Sequence, residues 1–146
     1  MHSKRAAFTL LEFIVSFGII ALVAGLTAYT IRASGPSLTL RAAARALAAD
    51  LRQASELASS AQIIHEVRFN AADGSYTLTR AGAPETTVKI VTLNATLNFD
   101  AITIANDTAV FNTLGATGTP GNIVLINRNN QRSTVQLRPS GYVRIQ

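Results

Sequence analysis

The chain has 146 residues, of which 48% are apolar and only 14% charged, a charge fraction low for a freely soluble domain. Its 13 Lys and Arg against 8 Asp and Glu give a net charge of +5, which leaves room for an acidic partner. The absence of cysteine excludes a disulfide framework, a thiolate zinc site and a cysteine nucleophile, and two histidines, His2 and His65, leave little for a metal cluster or a Ser/His/Asp triad.

The apolar excess lies at the start. From Ala6 to Ile31 the only side chain charged at neutral pH is Glu12, and the 19 residues from Phe13 to Ile31 are uncharged. A helix of about 20 such residues, rising about 1.5 Å per residue, crosses a hydrocarbon core of about 30 Å. One membrane-spanning helical segment is therefore predicted at residues 8–33. Lys4 and Arg5 precede it, so the positive-inside rule places the N-terminus in the cytoplasm and the rest of the chain on the opposite side. Such a segment is a cleaved secretory signal, a plain signal anchor or a specialised leader. An ordinary signal has an apolar core of about 7 to 15 residues and a small-x-small cleavage site. This core is longer, and Thr27-Ala28-Tyr29-Thr30-Ile31-Arg32 is a poor site.

The junction Lys4-Arg5-Ala6-Ala7-Phe8-Thr9-Leu10-Leu11-Glu12 switches abruptly from polar to apolar, with a carboxylate five residues into the apolar side. It resembles the prepilin leader shared by type IV pilins and type II secretion pseudopilins. The resemblance implies that residues 1–7 are a leader, that a prepilin peptidase cuts between Ala7 and Phe8, and that Phe8 becomes the N-methylated N-terminus. The family usually has Gly before the cut; this chain has Ala7, which is also small. A carboxylate well inside a bilayer costs several kcal/mol and needs a partner. With Phe8 as a free or methylated terminus, Glu12 lies only about 6 Å along a helix from that ammonium. The resemblance implies that Glu12 meets the N-terminal amine of a neighbouring subunit during filament assembly. The alternative is a Glu12 resting at headgroup level, where it costs little.

Beyond the span, Ser34-Gly35-Pro36 predicts a kink or break, opening a globular domain at 34–146. Ser37 to Ser60 has no Gly or Pro and repeats Leu40, Leu47, Leu51, Ala54 and Ala58 at helical spacing, which predicts an amphipathic helix at about 37–61. Arg41, Arg45 and Arg52 share a stripe of it; this reads as a solvated face, with phosphate or lipid-headgroup binding as the alternative. From about residue 63 to 146 the apolar period drops to two. Val67 and Phe69, a turn at Ala72-Asp73-Gly74, then Tyr76 and Leu78 form a hairpin pattern. Further strands are predicted at Thr87–Leu93, Thr96–Ile104, Asn122–Asn127, Ser133–Arg138 and Tyr142–Ile145. Asn127 to Gln131 reads as a second hairpin turn, Gly115 to Gly121 as a flexible loop, and His65 as an exposed strand residue.

These elements predict an α+β, pilin-like fold: a long N-terminal helix, its first half transmembrane and its second half amphipathic, packed on a small antiparallel sheet. Phe111, Gly115, Asn122 to Leu125, Val135 to Leu137 and Gly141-Tyr142-Val143-Arg144 resemble the globular domain of the GspH minor pseudopilins and their pilus counterpart FimT. The resemblance implies a structural subunit of an inner-membrane-anchored type II secretion pseudopilus or type IV pilus. Its partners would be the prepilin peptidase, other pilins or pseudopilins of the same filament, and inner-membrane lipid. The sequence carries no Gly-x-Ser-x-Gly, no phosphate-cradling Gly-x-x-x-x-Gly-Lys and no paired-His metal motif, so neither an enzyme nor a cofactor is predicted. An alternative is a DNA-binding competence pilin. From Thr108 to Gln146 the chain carries Arg128, Arg132, Arg138 and Arg144 and no acid, and Tyr142 can stack on a base. FimT-type pilins are implicated in DNA capture through a Gly-Arg-x-Arg, where this chain has Gly141-Tyr142-Val143-Arg144. Arginines that only block strand-edge pairing are the competing account.

Overall fold

The computed structural model describes residues 9–82 and 84–146. Its contacts divide the chain after Gly35. One helix, α1, runs from Leu10 to Ala61 over 52 residues, with Pro36 inside it. Of the kink or break expected at Ser34-Gly35-Pro36, the break does not occur: the helix continues through Pro36. A proline ring demands a φ near −65°, which a helix supplies; inside a helix it gives up one hydrogen bond and crowds the carbonyl four residues back, and its Cδ also crowds the Cβ of the residue before it. That residue is Gly35, which has no Cβ. The Pro36 carbonyl also accepts a hydrogen bond from Asn127 Nδ2 at 3.2 Å.

The helix stops without a glycine. Gln62 takes a left-handed φ of 55°, and the Ile63 amide reaches back to the Ala58 carbonyl at 3.3 Å, a Schellman closure. The Gln62 side chain secures the turn by donating to the Ser59 and Thr113 carbonyls.

The strands follow as β1 His65–Asn70, β2 Ser75–Arg80, β3 Thr86–Thr92, β4 Leu97–Ile102, β5 Thr108–Phe111, β6 Gly121–Asn127, β7 Arg132–Leu137 and β8 Val143–Ile145. They form two four-stranded antiparallel sheets, in the orders β3-β2-β1-β5 and β4-β6-β7-β8. The domain thus holds two sheets where the sequence predicts one. The added strand is β5, four residues long, paired with β1 some forty positions earlier in the chain. So short an element, held by a distant partner, has no local signal.

Alternation works as predicted. Val67 and Phe69 of β1, Tyr76 and Leu78 of β2, Ile123 and Leu125 of β6, and Val135 and Leu137 of β7 are buried in one core with Leu40, Leu47, Leu51, Ala54 and Ala58 of α1. Each fully buried Leu contributes about 1.5 to 3 kcal/mol, and the alanines let the sheets approach the helix. Two further expectations are overturned. His65 is buried, not exposed, because β1 turns it inward with Val67 and Phe69, and its Nδ1 lies 2.9 Å from the Ile63 carbonyl. Residues 115–121 are not a free loop: Thr117 is buried, its amide donates to the Pro139 carbonyl at 2.9 Å, and Thr119 Oγ1 accepts from the Val110 amide at 3.0 Å.

One polar cluster crosses this core. Asp50 of α1, only 6% exposed, accepts from the Tyr76 hydroxyl and from Lys89 Nζ of β3, both at 2.7 Å. Burial first, then the hydrogen bond and charge of Asp50, raise the Tyr76 pKa above its ordinary value of 10.0. A neutral group whose folded pKa is raised contributes fully below its unfolded pKa, and that stability is lost as pH rises beyond it. The melting temperature of the detergent-solubilised chain is therefore expected to hold to about pH 9 and to fall above about pH 10. Tyr76→Phe should cost the stability of one hydrogen bond at neutral pH, about 1 kcal/mol, lower the melting temperature accordingly, and flatten the alkaline fall. An equally steep fall in the variant would place the alkaline sensitivity elsewhere.

Candidate functional site

Thr9 precedes the first helical turn, and its Oγ1 accepts from the Glu12 amide at 3.3 Å. Thr9 and Glu12 therefore stand as N-cap and third residue of a helix start, where the helix dipole favours an acid. Among the described residues no cation lies within 4 Å of the Glu12 carboxylate. From Leu10 to Thr27 the helix has a mean hydropathy of 2.2 over 18 residues, none of them buried, and is long and apolar enough to cross a membrane. Thr27 Oγ1 donates to the Val23 carbonyl at 2.9 Å, one turn back in the same helix. Phe13 and Phe17, one turn apart, bring their rings to 5.7 Å. Ala7 and Phe8 lie outside the described residues.

The basic C-terminal residues divide between the two ends of β7. Arg128 sits in the β6–β7 hairpin and donates to the Ala95 carbonyl at 3.3 Å. Arg132 opens β7 and is held by Asp100 at 2.7 Å, which raises its already high pKa. Asp100 is the residue passed over where the β4–β6 register shifts between Phe99 and Ala101, a bulge of the kind that re-aims a side chain. At the far end Arg138 lies 6.0 Å from the Tyr142 ring centroid. Arg144 faces Gln136 in the β7–β8 register, so Arg138 is its diagonal neighbour, at about 7 to 8 Å between backbones. The structure therefore brings Arg138, Tyr142 and Arg144 together and leaves Arg128 and Arg132 about one strand length, roughly 20 Å, away.

A three-residue turn, Pro139-Ser140-Gly141, joins β7 to β8, closed by the Gly141 amide on the Arg138 carbonyl at 2.9 Å. Gly141 has a φ of 80°, and a Cβ there would collide with the Gly115 carbonyl oxygen. That same oxygen accepts from Ser55 Oγ of α1 at 2.7 Å. Farther along, Arg52 Nη2 donates to the Val143 carbonyl at 2.9 Å. Helix, loop and C-terminal hairpin are thus pinned at one point. The Arg41, Arg45 and Arg52 stripe is exposed, but Arg52 is a strand contact and not simply solvated.

Sequence reasoning missed the Asp50–Tyr76–Lys89 cluster. Its signal was present: Asp50 is three residues past Leu47 and four before Ala54, on the apolar stripe. Among the described residues no group of three or more His, Asp or Glu side chains gathers to hold a metal.

Comparison with known proteins places this architecture. The family described as Type II transport protein GspH matches residues 43–141. The chain belongs to the GspH family. Its fold is that of the minor pseudopilin EpsH from the type II secretion system of Vibrio cholerae, with a TM-score of 0.62 at 15% identity over 73% of this chain and 95% of that one. It is likewise similar to the type IV minor pilin FimU of Pseudomonas aeruginosa, with a TM-score of 0.60 at 13% identity over 73% of this chain and 87% of that one. No curated protein sequence matches the chain.

Proposed function

We propose that this chain is a minor subunit of an inner-membrane-anchored filament, a type II secretion pseudopilus or a type IV pilus, made as a precursor and processed before Phe8. The observation that carries the reading is the helix of a GspH-family chain whose first 18 residues, Leu10–Thr27, bury nothing within their own chain. So large an apolar surface needs lipid or the helices of other subunits. Prepilin peptidase removes residues 1–7, the span waits in the inner membrane with its N-terminus in the cytoplasm, and the sheet domain stands in the periplasm. Assembly moves the span from lipid to a core of like helices, with Glu12 pairing to the terminal amine of a neighbouring pilin. Filaments sheared from cells should contain the chain as a minor component whose intact mass begins at Phe8 with one added methyl group. A chain beginning at Met1, or cut beyond Ala28, would refute the processing.

A second reading, DNA capture, is favoured by one observation, the stacking of Arg138 on Tyr142 beside Arg144. The full chain in detergent should then bind duplex DNA with a dissociation constant of about 10⁻⁴ to 10⁻⁶ M and a log–log salt slope of about −3. Replacing Arg138 and Arg144 together by Ala should flatten the slope by about two, whereas Arg132→Ala should change it little because Asp100 already occupies that guanidinium. Binding that survives the double replacement unchanged removes this reading.

A further inference from the structure

The open edge of β8 and the arginines beside it form a second surface, distinct from the apolar span and from the Arg138–Tyr142 stack. Thr134 and Gln146 exchange both amide-to-carbonyl bonds, at 3.1 and 2.8 Å. In an antiparallel pair such exchanges recur at every second residue, so Arg144 also turns its main chain toward β7 and Val143 and Ile145 turn theirs away. The outward Val143 carbonyl is taken by Arg52. The outward amide and carbonyl of Ile145 have no partner among the described residues.

Ile145 also lines a groove of about 480 Å³ between the Ser37 to Arg45 stretch of α1 and the ends of β7 and β8. Arg41, Arg45 and Arg132 line the groove, and no Asp or Glu does. Asp100 satisfies Arg132, while Arg41 and Arg45 are exposed and have no acid within 4 Å among the described residues. They stand one helical turn apart, with Cβ atoms about 5 to 6 Å from each other. Alternate side chains of an extended strand repeat at about 6.6 to 6.8 Å, close to that spacing.

We infer that this groove takes an extended acidic segment of a different polypeptide, which adds a strand to β8 and sets two alternate carboxylates on Arg41 and Arg45. Main-chain pairing at Ile145 supplies affinity, and the two guanidiniums select the sequence and its register. A second copy of this chain does not fit, because none of its eight acidic residues stands two positions from another. The inference goes beyond the filament reading and stands or falls apart from it.

The test uses the full chain in detergent and a labelled eight-residue peptide of alternating Asp and Val. The expected results are binding by fluorescence anisotropy that weakens with salt, slowed hydrogen exchange of the Ile145 amide, and no binding of the matching Lys-Val peptide. Arg41→Glu with Arg45→Glu should weaken binding by about tenfold or more, or about 1.4 kcal/mol. Should that charge reversal disturb the fold, Arg41→Gln with Arg45→Gln gives the same comparison at exposed positions. Absence of binding, equal binding to the variants, equal binding of the Lys-Val peptide, or binding without protection of Ile145 would each overturn the inference.

Discussion

Gly141→Ala is expected to destabilise the folded domain by about 3 kcal/mol or more. Two costs add at this position. A left-handed φ of 80° costs a residue with a Cβ about 1 to 2 kcal/mol. The new methyl group would also overlap the Gly115 carbonyl oxygen, a backbone atom that cannot rotate away, and overpacking of this kind costs about 1 to 3 kcal/mol. Relief by moving the loop would break the Ser55 hydrogen bond that ties it to α1. In thermal unfolding of the detergent-solubilised chain this amounts to a drop of roughly 10 °C or more. Gly118→Ala, in the same loop but with nothing within 4 Å of its Cβ position, should change little. Equal melting temperatures for the two variants would contradict the pinned arrangement of helix, loop and hairpin.

Where an element announces itself within a few residues, sequence reading located it. The amphipathic stripe of Leu40, Leu47, Leu51, Ala54 and Ala58 and the period-two runs of β1, β2, β6 and β7 carry their burial in their spacing. What failed depends on distant partners. β5 exists because β1 offers an edge, His65 is buried because the strand's inward parity happens to begin with it, and residues 115–121 are ordered because Pro139 and Ser55 receive them. Pro36 misled for a different reason: the breaking rule for proline acts partly through the preceding Cβ, and Gly35 lacks one. Of the site residues, Glu12 was legible as a lone acid in an apolar run, and the arginines as a basic tail. The division of the arginines between the two ends of β7, and the capture of Arg132 by Asp100, follow from a bulge with no sequence signature.

Glu12 is the residue on which the proposed assembly of this helix with those of other subunits depends most sharply. Replacing Glu12 by Val removes a carboxylate whose burial in a bilayer costs about 3 kcal/mol on insertion scales, so insertion should be as good or better. The helix start should persist as well, since Thr9 Oγ1 caps the Glu12 backbone amide and not its side chain. Assembly is expected to respond in the opposite direction, because on the proposed pairing the amine of a neighbouring subunit would lose the only carboxylate in the sequence from Ala6 to Ile31. The measurement is the amount of chain recovered in sheared filaments relative to the membrane fraction, for wild type, Glu12→Gln and Glu12→Val. Full membrane insertion is expected of all three, with recovery of Gln reduced and recovery of Val lowered by about tenfold or more, as loss of the proposed charge pair in a low-dielectric setting implies. Recovery of Glu12→Val in filaments at the wild-type level would contradict that pairing and leave Glu12 as a helix-start residue at the membrane surface.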